Sequence, residues 1–160
     1  MDKNTSFTKS NTDKNQSIYI FIEIDDILPK NIIPKNDSFS LSIKYKNKQV
    51  TELFPISSVF TFKIKMIDDT VLFRVYINKG PLVVYKGEIE INKLVFLNRE
   101  VSEHRSFPLV SYESNAKLFQ NFHKITNLKC NYKYIITYNE KEKKEILQRY
   151  EKMNMLDSQN

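Results

Sequence analysis

The chain has no tryptophan, one cysteine, two glycines and two histidines in 160 residues, and each scarcity removes a class of function. A lone Cys130 forms no intramolecular disulfide, so the fold must rest on its apolar core, as in a reducing compartment. With only Gly80 and Gly87 there is no glycine-rich loop to cradle a phosphate. His104 and His123 stand apart from any acid at a spacing that recurs in hydrolases, and zinc-ligand pairs at short spacing are missing. No apolar run approaches the roughly 18 residues that cross a bilayer. The opening MDKNTSFTKSNTDKNQ lacks the apolar stretch of a secretory signal, Asp2 stands where N-myristoylation needs glycine, and the closing SQN has no prenylation cysteine. The expectation is a cytoplasmic protein, either free or peripheral on a membrane or cytoskeletal structure.

What is present is an ordinary globular composition, 41% hydrophobic and 28% charged, over a length that suits one domain. A net charge of +6 and a pI near 9.2 bias the chain toward anionic partners without choosing among phospholipid, nucleic acid and acidic protein. Residues 1–16 are polar with an isolated Phe7 and are expected to form a flexible tail. Beyond them the dominant period is two. Ile18, Ile20, Ile22 and Ile24 alternate with Tyr19, Phe21 and Glu23; Phe39, Leu41, Ile43 and Tyr45 alternate with serines and lysines. Phe60, Phe62, Ile64 and Met66 lie opposite Thr61, Lys63 and Lys65, and Val71, Phe73, Val75 and Ile77 opposite Leu72, Arg74 and Tyr76. Each run has one buried face, as a half-covered strand requires. Asp68 and Asp69 mark a turn. Further strands are predicted at 85–91, 107–112 and 132–138, with a weaker one at 49–54. About eight short strands separated by turn signals predict an antiparallel sandwich over 17–139.

From residue 140 to about 156 the period changes. Ile146, Leu147, Tyr150 and Met153 line one helical face among Glu142, Lys143, Glu145, Arg149 and Lys152. A helix this short is marginal alone in water, so it is expected to pack on the sandwich or on a protein partner. Residues 157–160 read as a tail.

The order of motifs carries a resemblance. IYIFIEIDDILPKN is similar to the first strand of the C2 domain family with its Leu-Pro exit, and NDSFSLSIKY to the strand that opens there with Asp-Pro-Tyr. KQVTELFPISSVFTFKIKMIDDTVLFRVYIN resembles that family's threonine, connecting loop, Phe-x-Phe strand and Val-Tyr strand, and YKGEIEINKL its glycine-led strand after the third loop. The resemblance covers residues 18–110, with a plausible closing strand at 132–138, and implies a C2-like eight-stranded antiparallel β-sandwich with a C-terminal amphipathic helix. A pleckstrin-homology-like barrel plus C-terminal helix is the alternative, because a strand followed by an amphipathic helix also ends that fold.

Carried onto this chain, the family's calcium ligands fall near Asn31, at Asp37, at Ile77 and at Lys79, with a later one among residues 81–86. Ile77 donates nothing, and an ammonium beside a divalent ion is repulsive. The resemblance therefore implies a docking module that works without calcium, with no metal or other cofactor.

Two sets of residues are candidates for a lipid-binding site. In LPKNIIPKND, Ile32 and Ile33 stand between Lys30 and Lys35; in NKGPLVVYKG, Leu82 and Val83 stand with Val84 between Lys79 and Lys86. In a C2-like body these two loops share one end. Apolar tips ringed by lysines suit a membrane-inserting rim, each lysine adding about 1 kcal/mol at an anionic surface and each buried Ile or Leu about 1.5 to 3 kcal/mol. The same apolar residues could instead pack together and close the end of the core. The second set is outward-facing, Lys44 and Lys46 with Lys63 and Lys65 on another strand; such lysines either recognise phosphoinositides or blunt an exposed strand face.

Enzymatic readings are poor. Cys130 has no helix N-terminus to activate it, and the Glu88 and Glu90 pair is flanked by Lys86 and Lys93. Nucleic acid fits no better, because acids interleave the basic residues and the aromatics sit at alternating core positions. The expected function is a non-catalytic docking or adaptor module for anionic membrane lipid or a membrane-associated protein assembly. The alternative is a purely protein-protein scaffold acting through Ile146, Leu147, Tyr150 and Met153 or through an exposed sheet face.

Overall fold

A computed structural model describes residues 17–33, 38–56, 59–65, 67–99, 104–112 and 127–159. Eight strands, β1 (Tyr19–Leu28), β2 (Phe39–Tyr45), β3 (Lys48–Leu53), β4 (Phe60–Lys63), β5 (Thr70–Lys79), β6 (Leu82–Asn92), β7 (Arg105–Ser111) and β8 (Asn127–Thr137), pair antiparallel in the order β3-β2-β5-β6-β7-β8-β1-β4. Two helices complete the fold, α1 (Lys93–Leu97) and α2 (Glu140–Gln159). The alternation read from the sequence is the alternation of burial: Ile20, Ile22, Leu41, Ile43, Phe60, Phe62, Phe73, Val75 and Ile77 are fully enclosed. Their aromatic members interlock, with Phe62 and Phe73 rings 5.5 Å apart and Tyr45 5.2 Å from Phe73.

All eight strands belong to one sheet, which curls into a nearly closed barrel. This corrects the two-layer sandwich. The groups β3-β2-β5-β6 and β7-β8-β1-β4 are joined at the seam between β6 and β7, through Tyr85 opposite Ser111 and Lys86 opposite Val110. A bond from the Tyr112 amide to the Val84 carbonyl, 2.7 Å, extends that seam. Its physical cause is Gly87: a Cβ there would lie 2.5 Å from the Pro108 carbonyl oxygen, so only glycine lets the two backbones come this close. At the opposite opening, between edge strands β3 and β4, the Tyr45 hydroxyl accepts from the Lys65 amide at 3.0 Å and donates to the Lys65 carbonyl at 3.4 Å. One side chain thus spans a gap that no ladder closes.

Helix α2 folds back on the barrel, which settles the choice left open by the sequence. It extends to Gln159, three residues past the predicted end. Asn139 caps it, its side-chain oxygen accepting from the Glu142 amide at 2.9 Å while the Glu142 carboxylate accepts from the Tyr138 amide at 3.0 Å. The outer face of β1 takes the helix. Phe21 is fully buried outside the barrel interior and stacks with Tyr150, centroids 6.4 Å apart. Tyr19 donates to Glu140 at 2.9 Å, and Lys143 lies 4.1 Å from the centre of the Tyr19 ring. Burial pushes the Tyr150 hydroxyl up to about 12, with the Glu23 carboxylate adding to the shift.

Successive strands run in opposite directions, so the loops fall at two ends. One end holds the β1–β2, β3–β4 and β5–β6 connections. The other holds the β2–β3 hairpin, the turn at residues 67–69, α1 and the start of α2.

Candidate functional site

The covering of β1 by α2 leaves the outer face of β2, β5 and β6 open, and the sheet register dictates what stands there. Lys44 on β2 is directly opposite Arg74 on β5, and Arg74 is opposite Glu88 on β6. One step along, Ser42, Tyr76 and Lys86 form the next row. Like charges opposite each other on one face oppose pairing, as Lys44 and Arg74 do, whereas Arg74 and Glu88 are of opposite sign.

Below these rows the face deepens into a cleft of about 280 Å³. It is lined by the four cationic residues Lys44, Lys46, Lys65 and Arg74 with Asp68 as the one carboxylate. Lys46 occupies the hairpin after β2 with φ of 52° and reaches Asp68 at 3.4 Å. Lys65 arrives from the opposite edge of the sheet, its backbone held by Tyr45 across the barrel opening. Among the described residues, Lys44, Lys65 and Arg74 have no carboxylate within ion-pairing distance.

Beside the cleft lies a larger, more apolar groove of about 860 Å³, with Tyr76, Leu82, Val83, Val110 and Tyr112 among Arg74, Lys86 and Glu88. Lys86 sits 5.2 Å from the centre of the Tyr112 ring. A polar strip adjoins it: Ser42 shares a 2.8 Å hydrogen bond with Thr51 and accepts from Asn78 at 2.9 Å. A second hydrogen bond runs from Asn78 to Ser40 at 3.3 Å.

Three of the four predicted outward lysines, Lys44, Lys46 and Lys65, therefore meet around one cleft. Lys63 does not; it is exposed beside Tyr19 on the other side of the sheet. Arg74 was the residue to add, and its sequence signal was its place between Phe73 and Val75 on the outward register of a strong strand.

The predicted rim is arranged differently. Ile32 and Ile33 are half-buried and pack against the core, as Phe54 and Ile56 do beside them. Lys30 is exposed, and Lys35 and Asp37 lie outside the described residues. Leu82 and Val83 belong to β6 and not to a loop apex, because Gly80 and Pro81 alone make the β5–β6 turn, with Gly80 at φ of 56°. Lys79 is engaged locally: its ammonium donates to the Ser38 hydroxyl and sits 4.6 Å from the centre of the Phe39 ring. Ile77 is fully enclosed in the core. Among the described residues no group of three or more His, Cys, Asp or Glu side chains stands together as a metal site.

Comparison of the chain with models of known protein families and with curated proteins finds no match.

Of the helix candidates, Ile146 is buried and Tyr150 rests on Phe21, Leu147 is half-buried, and Met153 is 50% exposed. Cys130 is enclosed between Phe107 of β7 and Ile27 of β1 in the ladder, and burial, reinforced by Asp26 and Asp25, pushes its thiol far above the usual range. His104, isolated in sequence, comes within 3.3 Å of Asp25, yet it is 81% exposed and lines none of these clefts. His123 lies outside the described residues.

Proposed function

We propose that the chain is a calcium-independent, non-catalytic docking module that binds an anionic membrane surface through the cleft of Lys44, Lys46, Lys65 and Arg74. The observation that carries this reading is the imbalance of that cleft: four cationic side chains, three of them without a carboxylate partner among the described residues, around a concave space on the face the helix leaves open. Phosphate oxygens are the natural complement, accepting bidentately from a guanidinium and singly from each ammonium.

Liposome flotation with and without a chelator tests the reading. The protein is expected to float with vesicles containing phosphatidylserine or phosphoinositide equally well in both conditions. The double variant Lys44→Glu, Arg74→Glu should lose flotation. A requirement for calcium, or full binding by the double variant, would defeat the proposal.

A protein scaffold is the second reading, favoured by the 860 Å³ groove with its Tyr76 and Tyr112 rings. Aromatic side chains flanked by charge suit the anchor of a partner protein. Pull-downs comparing the wild type with Tyr76→Ala and Tyr112→Ala separate the two: loss of partners with flotation unchanged supports the scaffold.

A further inference from the structure

We propose that the end of the barrel carrying the 67–69 turn and α1 enters the lipid bilayer, an inference that rests on the anionic-surface reading above. Three large apolar side chains project there: Ile67 is 72% exposed, Leu94 58% and Leu97 59%. Leu94 and Leu97, three residues apart, share the outward side of α1, while Phe96 on its inner side is buried in the core.

The display is built rather than frayed. The Asn92 side chain caps α1 by accepting from the Leu94 amide at 2.9 Å, and the Asn98 amide closes it onto the Leu94 carbonyl at 2.8 Å. The Lys93 amide donates to the Asp69 carbonyl at 2.8 Å, which holds the turn bearing Ile67 against the start of the helix.

The charged cleft opens at this same end. The β2–β3 hairpin, the 67–69 turn and the start of β5 all meet there, and Lys46 bonds Asp68 of that turn. Around the cleft and turn stand five cations, Lys44, Lys46, Lys65, Arg74 and Lys93, and four carboxylates, Asp68, Asp69, Glu88 and Glu90. Apolar groups that reach the acyl boundary beside cations that meet the head groups are the combination a peripheral protein needs. At the opposite end Ile32 and Ile33 lean into the core and Lys79 is held by Ser38 and Phe39, while Leu53 is 60% exposed and Leu82, Val110 and Tyr112 are partly so along the groove. The proposed membrane-facing end is the reverse of the one the loop composition suggested, chosen because its apolar side chains adjoin the cationic cleft.

Single cysteines at Leu94→Cys, Leu97→Cys and, as the control at the other end, Lys30→Cys would be labelled with a polarity-sensitive dye. Native Cys130 is fully enclosed and stays unlabelled in the folded protein. On vesicles of phosphatidylcholine and phosphatidylserine, a blue shift with several-fold brighter emission is expected at 94 and 97 and none at 30. The double variant Leu94→Ser, Leu97→Ser should partition about tenfold or more weakly with its thermal unfolding unchanged. A shift at 30 alone, or flotation of the wild type with no shift at any of the three positions, overturns the inference and leaves the anionic-surface reading standing. No flotation at all overturns both, with a protein as the remaining occupant of this end.

Discussion

The two outer faces of the barrel start from the same strand pattern and end differently. Around β1 the outward residues include Phe21, and α2 covers them so well that Phe21 is wholly excluded from water. Around β5 the outward residues are Arg74, Tyr76 and Asn78, and nothing among the described residues covers them. A face that closes on itself contributes stability. A face that keeps cations and half-exposed aromatic rings in water contributes less, and so is the side where binding is to be sought.

The sharpest test of this division is to truncate the same kind of side chain on both faces. Phe21→Ala removes a fully buried ring from beneath the helix and should cost about 3 to 5 kcal/mol in chemical denaturation. Tyr76→Ala on the open face should cost less than about 1 kcal/mol. Equal losses would mean that the open face is also structural.

A smaller effect tests the seam that joins the halves. In Gly87→Ala the new methyl group meets the Pro108 carbonyl at 2.5 Å and Leu109 and Phe107 side-chain carbons at 3.0 and 3.1 Å. Backbone cannot yield as a flexible side chain does, so the expected loss is about 1 to 3 kcal/mol. A further consequence should be faster hydrogen exchange at the Tyr112 amide, which bonds across the seam. Unchanged exchange would mean the halves hold together without this contact.

Hydroxyl groups should respond with opposite signs on the two faces. Under the helix, Thr137 is buried and its hydroxyl is the one buried side-chain oxygen among the described residues without a hydrogen-bond partner. Thr137→Val should therefore stabilise the protein by up to about 1 kcal/mol. Ser42 on the open face is just as buried, yet it bonds both Thr51 and Asn78. Ser42→Ala should destabilise by about 1 kcal/mol, and thermal melts of the two variants should move in opposite directions.

Much of this was legible from alternation. The positions of Ile20, Leu41, Phe62 and Val75 in the core follow directly from period two, and the helix follows from the spacing of Ile146 and Tyr150. The choice between the sandwich and the barrel named as its alternative was not legible, because both bury one face of every strand. The difference turned on Gly87, whose meaning depends on what approaches it from β7. The cleft was half legible for a related reason. Lys44 and Lys46 are neighbours in the chain, whereas Lys65 joins them only through the hydroxyl of Tyr45, and Lys63 is carried off by the ladder with β1. The shape of the rim was not legible because Gly80 and Pro81 make so tight a turn that Leu82 and Val83 fall within the strand.

The smallest expected stability change is the most informative about purpose. Lys44 and Arg74 are directly opposite on one face, a pairing that works against the sheet. Replacing Lys44 with glutamate turns the repulsive pair into an attractive one, across water and partly screened, so stability should rise by no more than about 0.5 kcal/mol. If the cleft holds an anion, that slightly more stable protein should bind vesicles worse, and added salt should erode the wild type's binding while leaving the variant's residual binding little changed. Parallel denaturation and flotation of Lys44→Glu read both quantities at once. A variant that gains stability and loses binding shows that the repulsion is kept for the ligand; a variant that gains stability and binds as before shows that the lysine only keeps the strand face soluble.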